Sequence, residues 1–445
     1  MRPLLKHVLL LALMLTASAT AQAVDLPRRP AFGIAMSNNM PPEVRTSQKL
    51  GPNEGVLIVA VEPGLSGANA GLNKGDIVVA LDGKPMSSSA DVIAFLRTKR
   101  PSDQLKIDYV RNATRATTTA TLVPTPLETS ADIEVIYDAV ASGSSIRRTV
   151  ITKPKGAGRH PAVLLVGGIG CYPIDNPASE NEGYRPLITS LTRQGFVTIR
   201  VEKSGIGDST GTPCSEVNLD TEVEGYTAGL RTLKKLSYVD AKRTFIVGHS
   251  IGGVVGPIVA AQEPVRGLFV LETVGLTWYE YELINTRRQL KLGGAPPAEI
   301  GAAMLLKQWC SHRMLIDRAP RADILKTKPE CVEFMSYPAS DAYVQQIAAQ
   351  NNAGLWAALK GVDVAVLYGA ADFVTGVEES KALVDAANAA RAGSATYIEI
   401  PDMDHFLLQS PNQAAAFQRL QSGGQAPFHP KLGQIVGDWL KSKSN

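Results

Sequence analysis

Charge of one sign, cysteine, histidine and long apolar runs are all scarce in this sequence. Its 45 Lys and Arg nearly balance 42 Asp and Glu, leaving no excess of either sign to recruit nucleic acid or an anionic membrane surface. The four cysteines, Cys171, Cys214, Cys310 and Cys331, and the six histidines fit no zinc-ligand spacing, so no metal site is expected. The apolar run near the N-terminus, "VLLLALMLTA", is short for a bilayer span. What remains is an ordinary globular composition, 44% hydrophobic and 20% charged, over 445 residues, enough for two or three domains.

That short run has the order of an export leader. Arg2, Lys6 and His7 precede it, and "AQA" at Ala21 to Ala23 supplies the small residues a signal peptidase needs, which places cleavage after Ala23. Residues 1–23 are therefore expected to leave a periplasmic or secreted protein with no stable membrane insertion, carrying 43 basic against 42 acidic side chains. In such a compartment four cysteines are read as disulfides, with three formal pairings.

"TLVPTPLETS", Thr121 to Ser130, divides the rest. Pro124 and Pro126 remove backbone donors and favour an extended linker, cut near residue 128. In the segment of about residues 28–125, the β-rich runs "GVLIVAVE", "DIVVALDG", "QLKIDYVR" and "TTTATLV" surround two helical stretches, "GLSGANAGL" and "SADVIAFLRTK". The phrase "VEPGLSGANAGLNKGDIVVALDGKPM", Val61 to Met86, resembles the central signature of PDZ domains, in the circularly shifted order of bacterial secreted serine proteases. That resemblance implies a small α+β domain in which a protein C-terminus adds as a strand beside "RPAFGIAM", its carboxylate held by backbone N–H groups around Ala31, Phe32, Gly33 and Ile34. Such a module either binds peptides or only orients its neighbour.

From residue 130 to 445 strands and helices alternate. An antiparallel opening pair, "ADIEVIYDAV" and "SIRRTVIT", gives way to fully apolar strands, "AVLLVGG", "FVTIRVE", "TFIVGHS", "GLFVLET", "DVAVLYG" and "TYIEIPD". Continuous apolarity suits strands covered on both faces, so an α/β fold with a doubly wound, mostly parallel sheet is expected. The fifth strand runs into "GHSIGG". A serine at such a strand-to-helix turn is held with strained backbone and its hydroxyl above the sheet, and glycines on both sides allow strand and helix to pass closely.

Together with "EKSGIGDSTG", Glu202 to Gly211, and "GHSIGGVVGPIVA", this segment resembles the α/β-hydrolase superfamily, in particular its exported esterases and aminopeptidase-like members. The resemblance implies Ser250 as nucleophile, followed in chain order by an acid and a histidine. Asp372, after the seventh strand, and His405, after the eighth, stand at carboxyl ends on the edge that bears Ser250. Asp363 lies at the wrong end of its strand, Asp404 is adjacent to the base, His249 packs inside the turn, and His312 and His429 fall in less regular regions. For the oxyanion, Ile251 supplies one N–H; in "LLVGGIGCY" Gly168 or Ile169 supplies the second, with Ile169 preferred from the Gly-Gly-x-Gly turn. Pro257 inside the following helix runs against propensity.

Residues 276–352 interrupt the alternation and read as a helical lid over Ser250. Met304, Leu305, Leu306, Trp309 and Met314 are placed mostly in the lid core rather than in an acyl pocket. In the implied fold Cys171 and Cys214 follow neighbouring strands and both remaining cysteines lie in the lid, which predicts Cys171–Cys214 and Cys310–Cys331 bridges. The expected function is carboxylic ester hydrolysis through an acyl-enzyme, with no cofactor. Two readings stand beside it: a peptidase or aminopeptidase on short peptides, which acidic lid residues such as Glu280, Glu282 or Glu333 at the pocket would favour, and a PDZ adaptor whose hydrolase domain is vestigial.

Overall fold

A computed structural model describes residues 26–444; the expected leader and its cleavage site lie outside them. The second domain holds eight strands: β1 (Ile133–Ser142), β2 (Ser145–Pro154), β3 (His160–Val166), β4 (Val197–Val201), β5 (Val239–His249), β6 (Gly267–Leu271), β7 (Asp363–Gly369) and β8 (Ala395–Ile400). They form one sheet in the order 8-7-6-5-3-4-2-1. The opening β1–β2 hairpin is antiparallel, β2 runs antiparallel to β4, and every further pairing is parallel.

Along the chain the strands are joined by helices that include α1 (Arg185–Arg193), α2 (Leu219–Lys235), α3 (Gly252–Gln262), α4 (Trp278–Leu292), α5 (Pro297–Ser311), α6 (Val377–Ala390) and α7 (Leu432–Ser442). Side chains alternate between two cores, which is why the central strands are apolar throughout. Along β3, Ala162, Leu164 and Val166 join α2, α3 and α6 on one face, while Val163 and Leu165 join α1 and α7 on the other. Helix α3 runs straight through Pro257. Proline has no N–H to offer the carbonyl of Gly253 one turn earlier. The indole N–H of Trp356 takes that carbonyl instead, at 3.0 Å, from the far end of the insertion between β6 and β7.

That insertion is helical throughout: α4, α5, a π-helical turn at His312–Ile316, and short helices at Arg321–Thr327, Pro329–Phe334, Asp341–Ala348 and Asn352–Ala357. Met304 and Met314 are buried in its core, and Leu306 and Trp309 are half-buried. Leu305 departs from the core expectation: it stands 71% exposed on the outer face of α5. Disulfides join Cys171 to Cys214 and Cys310 to Cys331, tying the turn after β3 to the segment after β4 and α5 to Pro329–Phe334. No helix among the described residues is long and apolar enough to cross a membrane.

The first domain is a small sheet ordered Ile34–Ser37, Val56–Val61, Ile77–Leu81, Gln104–Arg111 and Thr114–Thr121, with helices at Ser66–Asn69 and Ser89–Leu96. A short helix at Pro42–Ser47 adds to the elements expected from sequence.

The segment between the domains is extended, and it is also moored on both sides. Val123–Pro124 pairs antiparallel with Pro30–Ala31. The carbonyls of Thr125 and Pro126 accept from Arg28, because proline removes donors and leaves acceptors. Glu128 is buried and accepts from Nη1 and Nη2 of Arg200, at 2.9 and 2.6 Å, and from the Asn176 N–H at 2.7 Å. Arg28 pairs with Asp175 at 2.7 Å, and Asp208 lies between Arg28 and Arg148. Truncating one partner of a buried pair strands the other charge. Glu128→Ala is therefore expected to lower unfolding free energy by about 3–5 kcal/mol, whereas Glu128→Leu with Arg200→Met recovers most of it. Urea denaturation of the three proteins checks this, and a single variant as stable as the parent contradicts it.

Candidate active site

The turn after β5 is built by close approach. Ser250 has φ of +55°, a left-handed conformation that a side-chain-bearing residue adopts at a cost. A Cβ on Gly248 would lie 2.6 Å from the carbonyl oxygen of Gly252, and one on Gly252 would lie 2.6 Å from that of Val166 on β3. Only glycine fits either place. The turn is then fixed from β6 and beyond: Ser250 N–H donates to Leu271 at 2.9 Å, and Thr273 donates to the Ser250 carbonyl at 2.6 Å.

The structure brings the three predicted side chains together. Ser250 Oγ lies 3.1 Å from His405 Nε2, and His405 Nδ1 lies 2.9 Å from Asp372 Oδ2. The Nδ1–H donates to the carboxylate, which leaves Nε2 to accept the serine proton. Asp372 is fully buried and accepts further bonds from the Thr375 hydroxyl at 2.5 Å and the Val374 and Thr375 N–H groups at 2.6 and 2.9 Å. Burial works to raise its proton affinity, but the His405 charge and the hydrogen bonds from His405 and Thr375 outweigh it and hold the carboxyl at about 2. The alternatives are elsewhere. Asp363 pairs with Arg266 and Arg391 at the opposite end of β7, and Asp404 contacts Arg419 and caps its own turn through the Phe406 and Leu408 N–H groups. His312 is exposed beside Asp317, and His429 contacts Asp402.

The turn after β3 separates the two candidate oxyanion donors. Gly168 N–H is spent on the Tyr184 hydroxyl at 2.9 Å. Its carbonyl accepts from Tyr172 at 2.9 Å and from Lys203 Nζ at 3.0 Å. In a trans peptide the following N–H points opposite the carbonyl, so this pinning turns the Ile169 N–H the other way. Neither the Ile169 nor the Ile251 N–H has an acceptor among the described residues.

His249, which the sequence placed only inside the turn, is a bridge. The Tyr184 hydroxyl donates to its Nδ1 at 2.6 Å, and its Nε2–H donates to the His405 carbonyl at 2.7 Å. Burial, and then the charge of His405, push its proton affinity down to about 3, so it stays neutral with one tautomer. The turn after β3 and the backbone of His405 are thereby linked. Lys203 also pairs with Glu222 at 3.1 Å. Its neighbour Glu202 accepts from Asp208 and Ser209 N–H groups, at 2.9 and 3.3 Å.

A cavity of about 1000 Å³ opens between α4, α5, residues 333–338 and the helix Gln413–Ser422, with Ile169 in its wall. Trp278, Tyr281, Phe334, Tyr337 and Phe417 make it aromatic, and Asn285 and Gln289 add amides. Of the three lid acids, Glu280 caps α4 against Thr277, away from the cavity. Glu282 lines it but is neutralised by buried Lys307 at 2.7 Å and held by Tyr337 and Trp278. Glu333 is exposed at the cavity, as is Glu299. None of Met304, Leu305, Leu306, Trp309 and Met314 lines it.

In the first domain Ile34–Ser37 is an edge strand, paired on one side only. Ala31 pairs with Val123, Phe32 is buried and its carbonyl accepts from Gly67, and Gly33 has φ of +73°. The N–H groups of Phe32 and Gly33 donate to nothing among the described residues. Arg29, just before, donates its N–H to Asp208 at 2.8 Å, so this loop is moored to the turn after β4.

Sequence reasoning missed Tyr184, Lys203 and Glu272. The last carried a signal: an acid closing the apolar run "GLFVLE".

Two family profiles match the chain: a PDZ domain over residues 30–122 and the Alpha/beta hydrolase family over residues 163–417. Among curated proteins, Esterase EstD of Thermotoga maritima is 25% identical over 34% of this chain and 40% of its own length. The periplasmic pH-dependent serine endoprotease DegQ of Escherichia coli is 30% identical over 32% of this chain and 28% of its own. The chain thus spans less than half the length of these relatives. Among solved structures, Est1E from Butyrivibrio proteoclasticus is 14% identical with a TM-score of 0.42, covering 69% of this chain and 98% of that one.

Glu202 yields a pH prediction. Burial, with the charges of Asp175 and Asp208 added, raises it from the ordinary 4.5 to about 8, against the pull of its backbone donors. Folding therefore favours its protonated form: the stabilisation is full below about pH 4.5 and is lost as pH rises to about 8. Glu202→Gln is expected to gain on the parent across that window, by roughly a few kcal/mol at its upper end. Unfolding curves at several pH values that run parallel for both proteins contradict it.

Proposed function

The chain belongs to the alpha/beta hydrolase family, and from that premise we propose that it hydrolyses carboxylic esters through an acyl-enzyme on Ser250. The observation that carries this is the unbroken chain of contacts from Ser250 Oγ through the His405 ring to Asp372. Ser250 attacks the acyl carbonyl while His405 Nε2 takes its proton, and Asp372 holds the ring and balances its charge. The Ile169 and Ile251 N–H groups receive the developing oxyanion. The proton then passes to the departing alkoxide, and water repeats the attack with the same base.

Esters rank ahead of amides because an alkoxide leaves with less assistance than an amine, and because a helical lid limits the approach of folded protein. Cleavage of short peptides is the second reading, favoured by Glu299 and Glu333 at the cavity, where a substrate ammonium would find a counter-charge. Glu282 offers none, being spent on Lys307. We place the protein outside the cytosol, on its two disulfides and its likeness to periplasmic DegQ. The PDZ domain takes a peptide C-terminus along Ile34–Ser37, with the carboxylate on the Phe32 and Gly33 amides.

A fluorophosphonate is expected to label the parent and leave Ser250→Ala unlabelled, and Asp372→Asn is expected to lower kcat on the order of 10⁴-fold. A parent that takes no label supports the adaptor reading instead. Acyl esters tested against aminoacyl amides rank the two hydrolytic readings by kcat/KM. Binding of a labelled peptide to the PDZ domain is expected to vanish when its C-terminus is amidated, and equal binding of both forms overturns that assignment.

A further inference from the structure

We propose that Glu272 carries a proton at neutral pH and donates it in a hydrogen bond to Asp372, so that the acid behind His405 is a carboxylic acid–carboxylate pair with Glu272 as its positioning residue. The inference rests on the reading of Asp372 as the acid that orients His405.

Glu272 follows β6 directly. Its N–H donates to Leu367 on β7 at 3.1 Å, which continues the β6–β7 ladder, and its φ of +47° puts a long side chain in the left-handed region. That conformation is costly without glycine and marks a residue held in place by its surroundings. The side chain is fully buried, and neither carboxyl oxygen makes a hydrogen bond of normal geometry. It presses on Gly369, where a Cβ would lie 2.5 Å from Oε1. Gly369 opens the turn that carries Asp372, whose N–H donates back to the Gly369 carbonyl at 2.9 Å. The Glu272 carboxyl is thereby lodged against the turn that carries Asp372.

Two anions cannot share this place. A buried carboxylate with no side-chain donor is costly, and Asp372 and Asp404 add negative charge to surroundings that Tyr368 and Tyr397 share, while the His405 ring is engaged by Asp372. Burial first, and then the Asp372 charge, push Glu272 well above the usual carboxylate range. Asp372 is the member that ionises, because His405, Thr375 and two backbone N–H groups donate to it. A buried O–H requires an acceptor, and the adjacent carboxylate is one. The bond fixes Asp372 from the β6 side and favours its anionic form, which keeps the Nδ1 proton on His405.

The infrared difference spectrum of the parent minus Glu272→Gln at pH 7 tests the proton directly. A protonated-carboxyl C=O band removed by the substitution is expected, and its absence overturns the proposal. Because Gln still donates, kcat/KM is expected within about threefold of the parent, with the acidic limb of the pH profile unmoved. Glu272→Leu keeps the bulk without the donor. It is expected to lower kcat by about 10- to 100-fold and to shift that limb. A folded Leu variant with the parent's kcat and profile, or a Gln variant as impaired as Leu, reduces Glu272 to packing and overturns the inference. Should Leu fail to fold, the infrared band and the Gln profile still decide. The infrared measurement needs no turnover, so an unlabelled parent in the fluorophosphonate experiment fails the hydrolase reading without deciding the proton on Glu272.

Discussion

Everything about the candidate site depends on three polypeptide segments meeting with no side chain between them. The carbonyl of Val166 on β3 lies where a Cβ of Gly252 would be, and the carbonyl of Gly252 lies where a Cβ of Gly248 would be. This contact lets β5 reverse into α3 within one residue, and that residue, Ser250, takes the strain as a left-handed backbone. It also sets the turn after β3, and hence Ile169, beside Ser250. Trp356 secures the helix that follows by satisfying the carbonyl that Pro257 leaves open, so the insertion between β6 and β7 helps hold that helix in place.

Around this turn, buried titratable groups are sorted by their partners. Asp372, His249 and Glu202 are all out of water, yet the first is held anionic, the second neutral, and the third protonated up to about pH 8. Desolvation acts on each of them in the direction of neutrality. Only Asp372 collects enough donors and positive charge to overcome it. One anion beside one imidazole is the electrostatic arrangement a serine nucleophile needs.

The domain junction is built from the same chemistry. Asp208 receives Arg28 and the Arg29 N–H from the start of the first domain and Arg148 from β2, while its own N–H serves Glu202. The loop through Phe32 and Gly33 lies just beyond Arg29, and Lys203 on the same turn as Asp208 holds the Gly168 carbonyl. The two domains are therefore joined through the turn after β4, which also holds the turn after β3 through Lys203.

Much of this was legible in the sequence. Apolar strands covered on both faces, the glycine-flanked serine, and the chain order of acid and histidine are local patterns, and local patterns survive any tertiary arrangement compatible with them. So the expectation of Ser250, Asp372 and His405 rested on where the resembled fold stands them on their strands, and that of the disulfide pairs on the neighbourhood of their loops in that fold. Tertiary structure alone decided the rest. Leu305 faces solvent, Glu282 is cancelled by Lys307, the proline-rich connection is strapped down through Glu128 and Arg200, and His249, Tyr184 and Glu272 lean on groups far along the chain. A side chain's charge and tautomer are fixed by which distant donors and acceptors burial places against it, and no spacing rule along the chain encodes those partners.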